Sequence, residues 1–154
     1  MTTETATLTG VGGIAVGEQF VSPGRTITEA DIVTFAGLSG DYNELHTNAE
    51  AMKASPYGAR IAHGLLVLSV SSGLGIRALP RLPVIAFLGI KEWNFRAPVF
   101  IGDTISVRLR LAGARRTKTP GRILVTWTRE ILNQRGEVVQ DGTTLSLVEE
   151  PQRT

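Results

Sequence analysis

The fold of this chain is decided by Gly64-Leu65-Leu66-Val67-Leu68-Ser69-Val70-Ser71-Ser72-Gly73-Leu74-Gly75-Ile76-Arg77-Ala78-Leu79. Its residues are apolar or small on every side, a pattern typical of a helix that protein surrounds. Polar residues interrupt the run, and it is shorter than the roughly 20 apolar residues that a membrane helix needs. We therefore predict a buried helix over residues 64–79 and no contact with a membrane.

The second half of the chain alternates between apolar and polar residues, which indicates half-buried strands. The clearest case is residues 105–111, where every second residue is a large aliphatic one. Similar patterns predict strands over residues 85–95, 123–131 and about 138–148. Because the loops between these strands are too short for crossover helices, we expect an antiparallel meander.

A buried helix and an antiparallel sheet long enough to curl around it imply the α+β class and a hotdog fold. Such a sheet has an exposed edge and one partly covered side, so we expect a homodimer or a larger homo-oligomer. The length of 154 residues fits a single domain, which we place at residues 14–150. Residues 1–13, rich in threonine and glycine, are expected to form a flexible tail.

Composition excludes several kinds of site. The chain has no cysteine, and its two histidines do not belong to a cluster with ligand spacing, so we predict no metal. No positively charged leader precedes Arg25, the first basic residue, and we expect a cytoplasmic protein. The glycine pattern at residues 10–15 lacks the flanking strand and helix of a dinucleotide site, so no nucleotide cofactor is expected.

The second half also has no acidic residue between Asp103 and Glu130, and a run of basic residues lies within this stretch, namely Arg108, Arg110, Arg115, Arg116, Lys118 and Arg122. We interpret them as a solvated strand face and turn. The alternative is a patch that meets the phosphates of a carrier or cofactor. No helix-turn-helix or aromatic stacking platform accompanies them, so a nucleic-acid partner is not expected.

A chemically suggestive motif precedes the long helix. Gly40-Asp41-Tyr42-Asn43-Glu44-Leu45-His46 is a connector between two predicted helices, whose N-caps are Thr28 and Asn48. An imidazole with an ordinary pKa near 6.5 exchanges protons at neutral pH, and a carboxylate beside it can hold a water. Downstream, Ile61-Ala62-His63-Gly64 opens the long helix, whose first amides are donors for a developing negative charge. An isolated Asp and His at this spacing more often have structural roles than catalytic ones, so the surrounding sequence must decide between the two interpretations.

Four segments, taken in order, resemble the MaoC-like dehydratase family, which includes the (R)-specific enoyl-CoA hydratases. They are FAGLSGDYNELH (residues 35–46), YGARIAHGLL (57–66), SGL (72–74) and FRAPVFIGD (95–103). Four segments in the right order are far more specific than one pair of residues. The resemblance therefore outweighs the structural reading of the motif.

The resemblance implies that Asp41 and His46 are a catalytic dyad and that Asn43 supports their turn. It implies further that the Gly64 amide contacts the thioester oxygen and that Ser72 lines the acyl pocket. His63 belongs to the motif as well, but we expect it to be a packed residue that fixes the helix start. The sequence departs from the family at Glu44, where proline is usual, and we expect this carboxylate to point outward because burying it unpaired is costly.

The implied reaction is reversible hydration of a trans-2-enoyl-CoA, or of an enoyl-carrier thioester, to the (R)-3-hydroxyacyl thioester. It needs no cofactor, since coenzyme A is part of the substrate. Two alternatives stay open, a hotdog acyl-CoA thioesterase and a non-catalytic acyl-CoA-binding module. The sequence also leaves open the acyl chain length and branching and which of Asp41 and His46 is the acid.

Overall fold

The structure is a computed structural model that describes residues 6–150. Within this range, the chain begins with short strands: β1 (Thr7–Leu8), β2 (Gly10–Val11), β3 (Ile14–Ala15), β4 (Gln19–Val21) and β5 (Arg25–Thr26). Helices follow: α1 (Glu29–Ser39), α2 (Glu44–Thr47), α3 (Ala49–Lys53) and α4 (Gly64–Ala78). Long strands complete it: β6 (Val84–Phe95), β7 (Thr104–Arg116), β8 (Arg122–Leu132) and β9 (Val138–Glu149).

The predicted α+β class is confirmed, with α4 packed against the antiparallel sheet. Strand β7 shows how the alternating pattern builds the core, because Ile105, Val107, Leu109 and Leu111 are fully buried. They share one core with Leu66, Val67 and Leu74 of α4. Burying each such side chain stabilises the fold by about 1.5–3 kcal/mol.

The order of the long strands differs from the predicted meander. The sheet runs β1-β7-β8-β9-β6, with β4 and β5 also paired to β7. The meander is correct for β7, β8 and β9, but β6 pairs with β9 rather than with β7. The physical reason is that β1, β4 and β5 occupy the far side of β7, so β9 offers the free edge.

The expected flexible tail is wrong from Thr7 onward, while residues 1–5 lie outside the described part of the chain. Strand β1 pairs with β7, and β2 and β3 form a hairpin that buries Val11. Its two turn residues, Gly12 and Gly13, have φ angles of 56° and 81°, the left-handed values that a tight hairpin requires. The glycine pattern is therefore a hairpin turn.

The helix boundaries around the motif follow the predicted caps. Thr28 and Asp31 form a capping box at the start of α1, and Gly40 ends that helix with a φ of 75°. Asn48 caps α3 through its side chain. The expected connector over residues 41–46 contains one more element, the short helix α2, which Asn43 caps.

Helix α4 is covered on one side only, so the prediction that protein surrounds it is wrong for the single chain. Leu66, Val67 and Leu74 face the sheet, whereas Leu65 and Ile76 are exposed on the opposite side. A sheet that curls around a helix covers the side that it contacts and leaves the other side open. Among the residues described, no helix has the length and apolar character needed to cross a bilayer.

Candidate active site

Asp41 lies in the turn between α1 and α2, directly after the left-handed Gly40. Its Oδ1 accepts a hydrogen bond from the Asn43 backbone N–H at 3.2 Å. The Asn43 Oδ1 in turn accepts one from the Leu45 N–H at 3.0 Å and so begins α2. Two consecutive bonds of this kind fix the turn. They leave the Asp41 Oδ2 free, on a side chain that is 51% exposed.

His46 lies on α2 and is buried, with its Nδ1 2.8 Å from the Ile61 carbonyl oxygen. A carbonyl oxygen only accepts, so Nδ1 carries the hydrogen and Nε2 of the neutral ring has a free lone pair. That Nε2 lies 3.8 Å from the Asp41 Oδ2. This distance is too long for a direct hydrogen bond, and it fits a water that bonds to both atoms.

His63 contacts both members of this pair. Its Nε2 lies 2.9 Å from the Asp41 backbone oxygen. Its ring stacks on His46, with centroids 3.7 Å apart and an interplanar angle of 27°. The structure therefore brings Asp41, His46 and His63 into one cluster, although the sequence analysis left His63 out of the catalytic set.

The Gly64 amide is at the open end of α4. His63 is the N-cap of this helix and gives it no side-chain hydrogen bond, and no acidic side chain lies in the first turn. Amides at this position have no acceptor within their own helix, and the Gly64 N–H has none elsewhere in residues 6–150. The positive end of the helix dipole thus faces outward beside the dyad.

Gly64 must be glycine for reasons of space rather than of backbone angle. A Cβ added at this position would lie 2.6 Å from Cε1 of the Phe95 ring, well inside normal contact distance. Gln140 holds the same residue from the other side, because its Nε2 donates to the Gly64 oxygen at 2.9 Å. The indole N–H of Trp93 donates to the Gln140 Oε1 at 3.0 Å, so that hydrogen bonds connect Trp93, Gln140 and Gly64 in series.

Gln140 and Trp93 were missed by the sequence analysis. Gln140 is only 2% exposed, and a buried carboxamide among the apolar residues of a strand is the signal that could have revealed it. Alternation points Gln140 inward, in phase with the buried Thr144, Ser146 and Val148 of the same strand. What no local pattern gives is its partner, the Gly64 oxygen 76 residues away.

A cavity of about 290 Å³ opens beside these groups. Its lining includes His46, Tyr57, Gly64, Val67, Phe95 and Gln140. Its size is at the lower end of the range for ligand pockets, and its mixture of apolar walls with few polar groups is typical of them. Asp41 and Asn43 do not line it, but His46, which lies beside Asp41, does. Ser72 is not brought to this cavity, since it is exposed on the side of α4 that carries Leu65 and Ile76.

The basic run lies largely on the two neighbouring strands β7 and β8 and has acidic partners that the linear sequence conceals. Arg108 pairs with Glu130 across β7 and β8, with 2.8 Å between Nη1 and Oε2. Arg116 pairs with Glu150, which is 34 residues away. These pairs support the interpretation of a solvated strand face.

Asp41, His46 and His63 also present ligand atoms within 4.8 Å of one another, the spacing of a possible metal site. The arrangement of the two rings fits a shared ion poorly. One nitrogen of each ring already bonds to a backbone oxygen, Nδ1 of His46 to Ile61 and Nε2 of His63 to Asp41, and the two ring faces stack on each other. The absence of a metal remains a prediction.

Comparisons with known proteins all indicate the same family. A family model described as "MaoC like domain" matches residues 13–133. The chain is similar to the (R)-specific enoyl-CoA hydratase of Rhodospirillum rubrum, with 35% identity over 132 residues, which are 84% of this chain and 85% of that protein. It is also 46% identical over 96 residues to Protein MaoC of Klebsiella aerogenes, which are 62% of this chain but only 28% of that longer protein.

Solved structures give the same result for the fold. The (R)-hydratase of Aeromonas caviae, involved in PHA biosynthesis, superposes with a TM-score of 0.73 at 28% identity over 92% of this chain and 100% of that one. A Mycobacterium tuberculosis protein with a double hotdog fold gives a TM-score of 0.80 at 21% identity, over 92% of this chain and 44% of that one. The predicted hotdog fold is confirmed.

Proposed function

The chain belongs to the family of MaoC-like domains, and on that premise we propose that it hydrates trans-2-enoyl thioesters reversibly to (R)-3-hydroxyacyl thioesters. Relatives that match most of its length are named as hydratases and dehydratases. The chain is thus a hydro-lyase by class. The proposed substrate is an enoyl-CoA or the corresponding carrier-bound thioester, and no further cofactor takes part.

The observation that carries the proposal is the 3.8 Å gap between the His46 Nε2 and the Asp41 Oδ2. One water held there donates one hydrogen to the carboxylate and directs the other at the free lone pair of His46. His46 takes this proton as the water oxygen attacks Cβ of the substrate. The imidazolium then returns a proton to Cα, which regenerates the neutral ring. Because one group takes and returns the proton on one face, the addition is syn.

The Gly64 amide has the complementary role. Electron density moves toward the thioester oxygen as the water attacks Cβ, and an N–H at a helix start stabilises that charge. Removing one such donor typically slows a reaction by about 100-fold to 1000-fold. The hydrogen bond from Gln140 and the close packing of the Phe95 ring against Gly64 keep this donor beside the cavity.

The direct test is the loss of ultraviolet absorbance of the enoyl thioester when purified protein is mixed with crotonyl-CoA. We expect turnover, and Asp41→Asn and His46→Gln should each reduce its rate by at least ~100-fold. Glu50→Gln is the matched control, since it also neutralises an exposed carboxylate but lies on α3, outside the dyad. Chiral analysis of the product should show the (R)-3-hydroxyacyl form.

The alternatives give different products in the same experiment. Release of free thiol, followed with a thiol reagent, would identify a thioesterase. Saturable binding of enoyl-CoA without any product would identify a binding module. No turnover of short, medium or branched enoyl-CoAs by a folded protein would rule out the proposed hydration.

We also propose that the chain forms a homodimer through β6. This strand ends the sheet and exposes Val84, Phe87, Leu88 and Phe95, a long apolar edge of the kind that pairs with another chain. Light scattering should give twice the monomer mass, and Leu88→Glu should reduce it. Leu38→Glu, at a more exposed position on α1, is the control; a wild-type monomer would contradict the proposal. A cytoplasmic location remains a prediction.

A further inference from the structure

His63 combines complete burial with an unmet hydrogen-bonding need. It is 2% exposed, and its Nδ1 is the one buried side-chain nitrogen or oxygen in residues 6–150 without a hydrogen-bond partner. Leaving a buried acceptor unpaired is unfavourable, and an apolar ring of similar size would avoid it. The Nδ1 atom therefore gives no reason for a histidine at this position, and the reason must lie in the contacts of the rest of the ring.

The two contacts that His63 does make both end on the dyad. Since the Asp41 carbonyl oxygen only accepts, the Nε2 of His63 carries the hydrogen and donates it. This bond joins residues 22 positions apart and fixes the backbone of the Asp41 turn. The face of the same ring supports His46, with which it stacks at 3.7 Å, while Phe35 packs near it with centroids 5.1 Å apart.

The peptide chain adds a third connection. His63 is the N-cap of α4, and Gly64, whose amide points from the helix start, is the next residue. One side chain therefore connects the Asp41 turn, the ring of His46 and the start of α4. The gap of 3.8 Å between Asp41 and His46 depends on the relative position of these segments.

We propose that His63 is a positioning residue that sets the spacing of the dyad through its Nε2–H bond to Asp41 and its stack on His46. The inference rests on the proposed function, because the dyad is what His63 positions. The contacts of His63, however, are present in the protein before any substrate binds. They can be tested separately from catalysis.

The first test separates the two contacts by substitution. His63→Phe keeps a ring that can stack on His46 but cannot donate to Asp41. His63→Gln keeps a nitrogen at about the position of Nε2 and removes the ring. We expect each variant to remain folded and to lower kcat for crotonyl-CoA by about 10-fold to 100-fold, the scale of a misplacement near 1 Å, with a much smaller change in KM.

His63→Asn is the matched control for His63→Gln. Its shorter side chain places the amide near the position of Nδ1, where it cannot reach the Asp41 oxygen. The proposal therefore expects Gln to retain more activity than Asn at equal thermal stability. Folded His63→Phe and His63→Gln variants with wild-type kcat would overturn it.

The second test needs no substrate, because the chain has only two histidines and their ring signals can be assigned with single variants. Nitrogen-15 NMR of the free protein at alkaline pH, where imidazoles are uncharged, should show opposite tautomers. We expect Nδ1–H for His46 and Nε2–H for His63, and altered ring shifts of His46 in the His63→Phe and His63→Gln variants.

The same tautomer in both rings, or unchanged His46 shifts in both variants, would overturn the proposal. If the wild-type protein turns over no enoyl thioester while the tautomers are opposite and the His46 shifts move, hydration is wrong and the positioning contact stands. The two failures are thus distinguishable.

Discussion

Gly64→Ala is the substitution for which the structure gives the clearest magnitude. The new Cβ would lie 2.6 Å from Cε1 and 2.7 Å from Cδ1 of Phe95. Carbon atoms prefer separations of about 3.5–4.0 Å, so the ring or the helix start must move by about 1 Å. Either movement disturbs the site, because Phe95 and Gly64 both line the cavity and the Gly64 amide is the proposed oxyanion donor. A misplacement of that size reduces catalysis by about 100-fold, or about 2.7 kcal/mol of transition-state stabilisation.

The assay is kcat/KM for crotonyl-CoA, measured together with the unfolding free energy. We expect Gly64→Ala to lower kcat/KM by about 100-fold and to destabilise the fold by about 1–3 kcal/mol, as overpacking does. Gly73→Ala is the matched control on the same helix, where an added Cβ meets no atom within 4 Å. It should leave kcat/KM unchanged and stabilise the helix by up to about 1 kcal/mol.

A double-mutant cycle identifies the contact as the cause. If the Phe95 ring transmits the effect, Gly64→Ala should cost little further activity in a Phe95→Ala background. The resulting coupling energy should fall between about 0.5 and 3 kcal/mol. Wild-type kcat/KM for Gly64→Ala, or equal effects of the substitution in both backgrounds, would refute the reasoning.

Four further outcomes are expected. Thr28→Ala should lower the unfolding free energy by about 0.5–2 kcal/mol in urea titrations without changing kcat, because it removes a cap of α1 that has no contact with the dyad. Glu44→Pro should keep the activity and stabilise the fold by about 0.4–1 kcal/mol. A loss of activity would contradict the outward orientation of the Glu44 carboxylate, away from the dyad. The hydrogen bond from Arg96 lowers the pKa of Asp141 in the folded protein below the value of about 3.9 that a carboxyl has in the unfolded chain. The ionised Asp141 therefore stabilises the fold above that pH, and this stability is lost as the pH falls through the lower pKa of the folded state. Asp141→Asn should therefore flatten the acid limb of a plot of melting temperature against pH. Dialysis against a chelator should leave the hydration rate unchanged, whereas a loss restored by a divalent metal would overturn the prediction of no metal.

The parts of the fold that could be predicted depend on local rules. The alternation in β7 and the caps at Thr28 and Asn48 are properties of a few neighbouring residues, and the structure agrees with each of them. The errors concern partners that are distant in sequence. The pairing of β6 with β9 depends on which strand edge remains free, and no local pattern contains that information.

The candidate site follows the same division. Asp41 and His46 lie within one turn and one short helix, so a sequence motif could identify them together. Gln140 reaches Gly64 across 76 residues, and His63 reaches Asp41 across 22. Such contacts require knowledge of the packing. Ser72, inferred from family resemblance alone, illustrates the opposite risk, because α4 presents it to solvent in the single chain.

Glu44, the one departure from the family pattern within the motif, has a physical explanation. It is the first residue of α2, a position that proline occupies well because its amide needs no acceptor there. A glutamate suits the same position by its charge, since the helix dipole favours an anion at the N-terminus. Its Oε1 accepts a hydrogen bond from the Asn48 side chain at 3.1 Å, which directs the carboxylate toward α3 rather than toward the dyad. The preceding Asn43, with φ −54° and ψ 141°, already has the conformation that a following proline imposes. Proline and glutamate therefore satisfy the same backbone by different means, and the geometry of Asp41 and His46 does not depend on which of them is present.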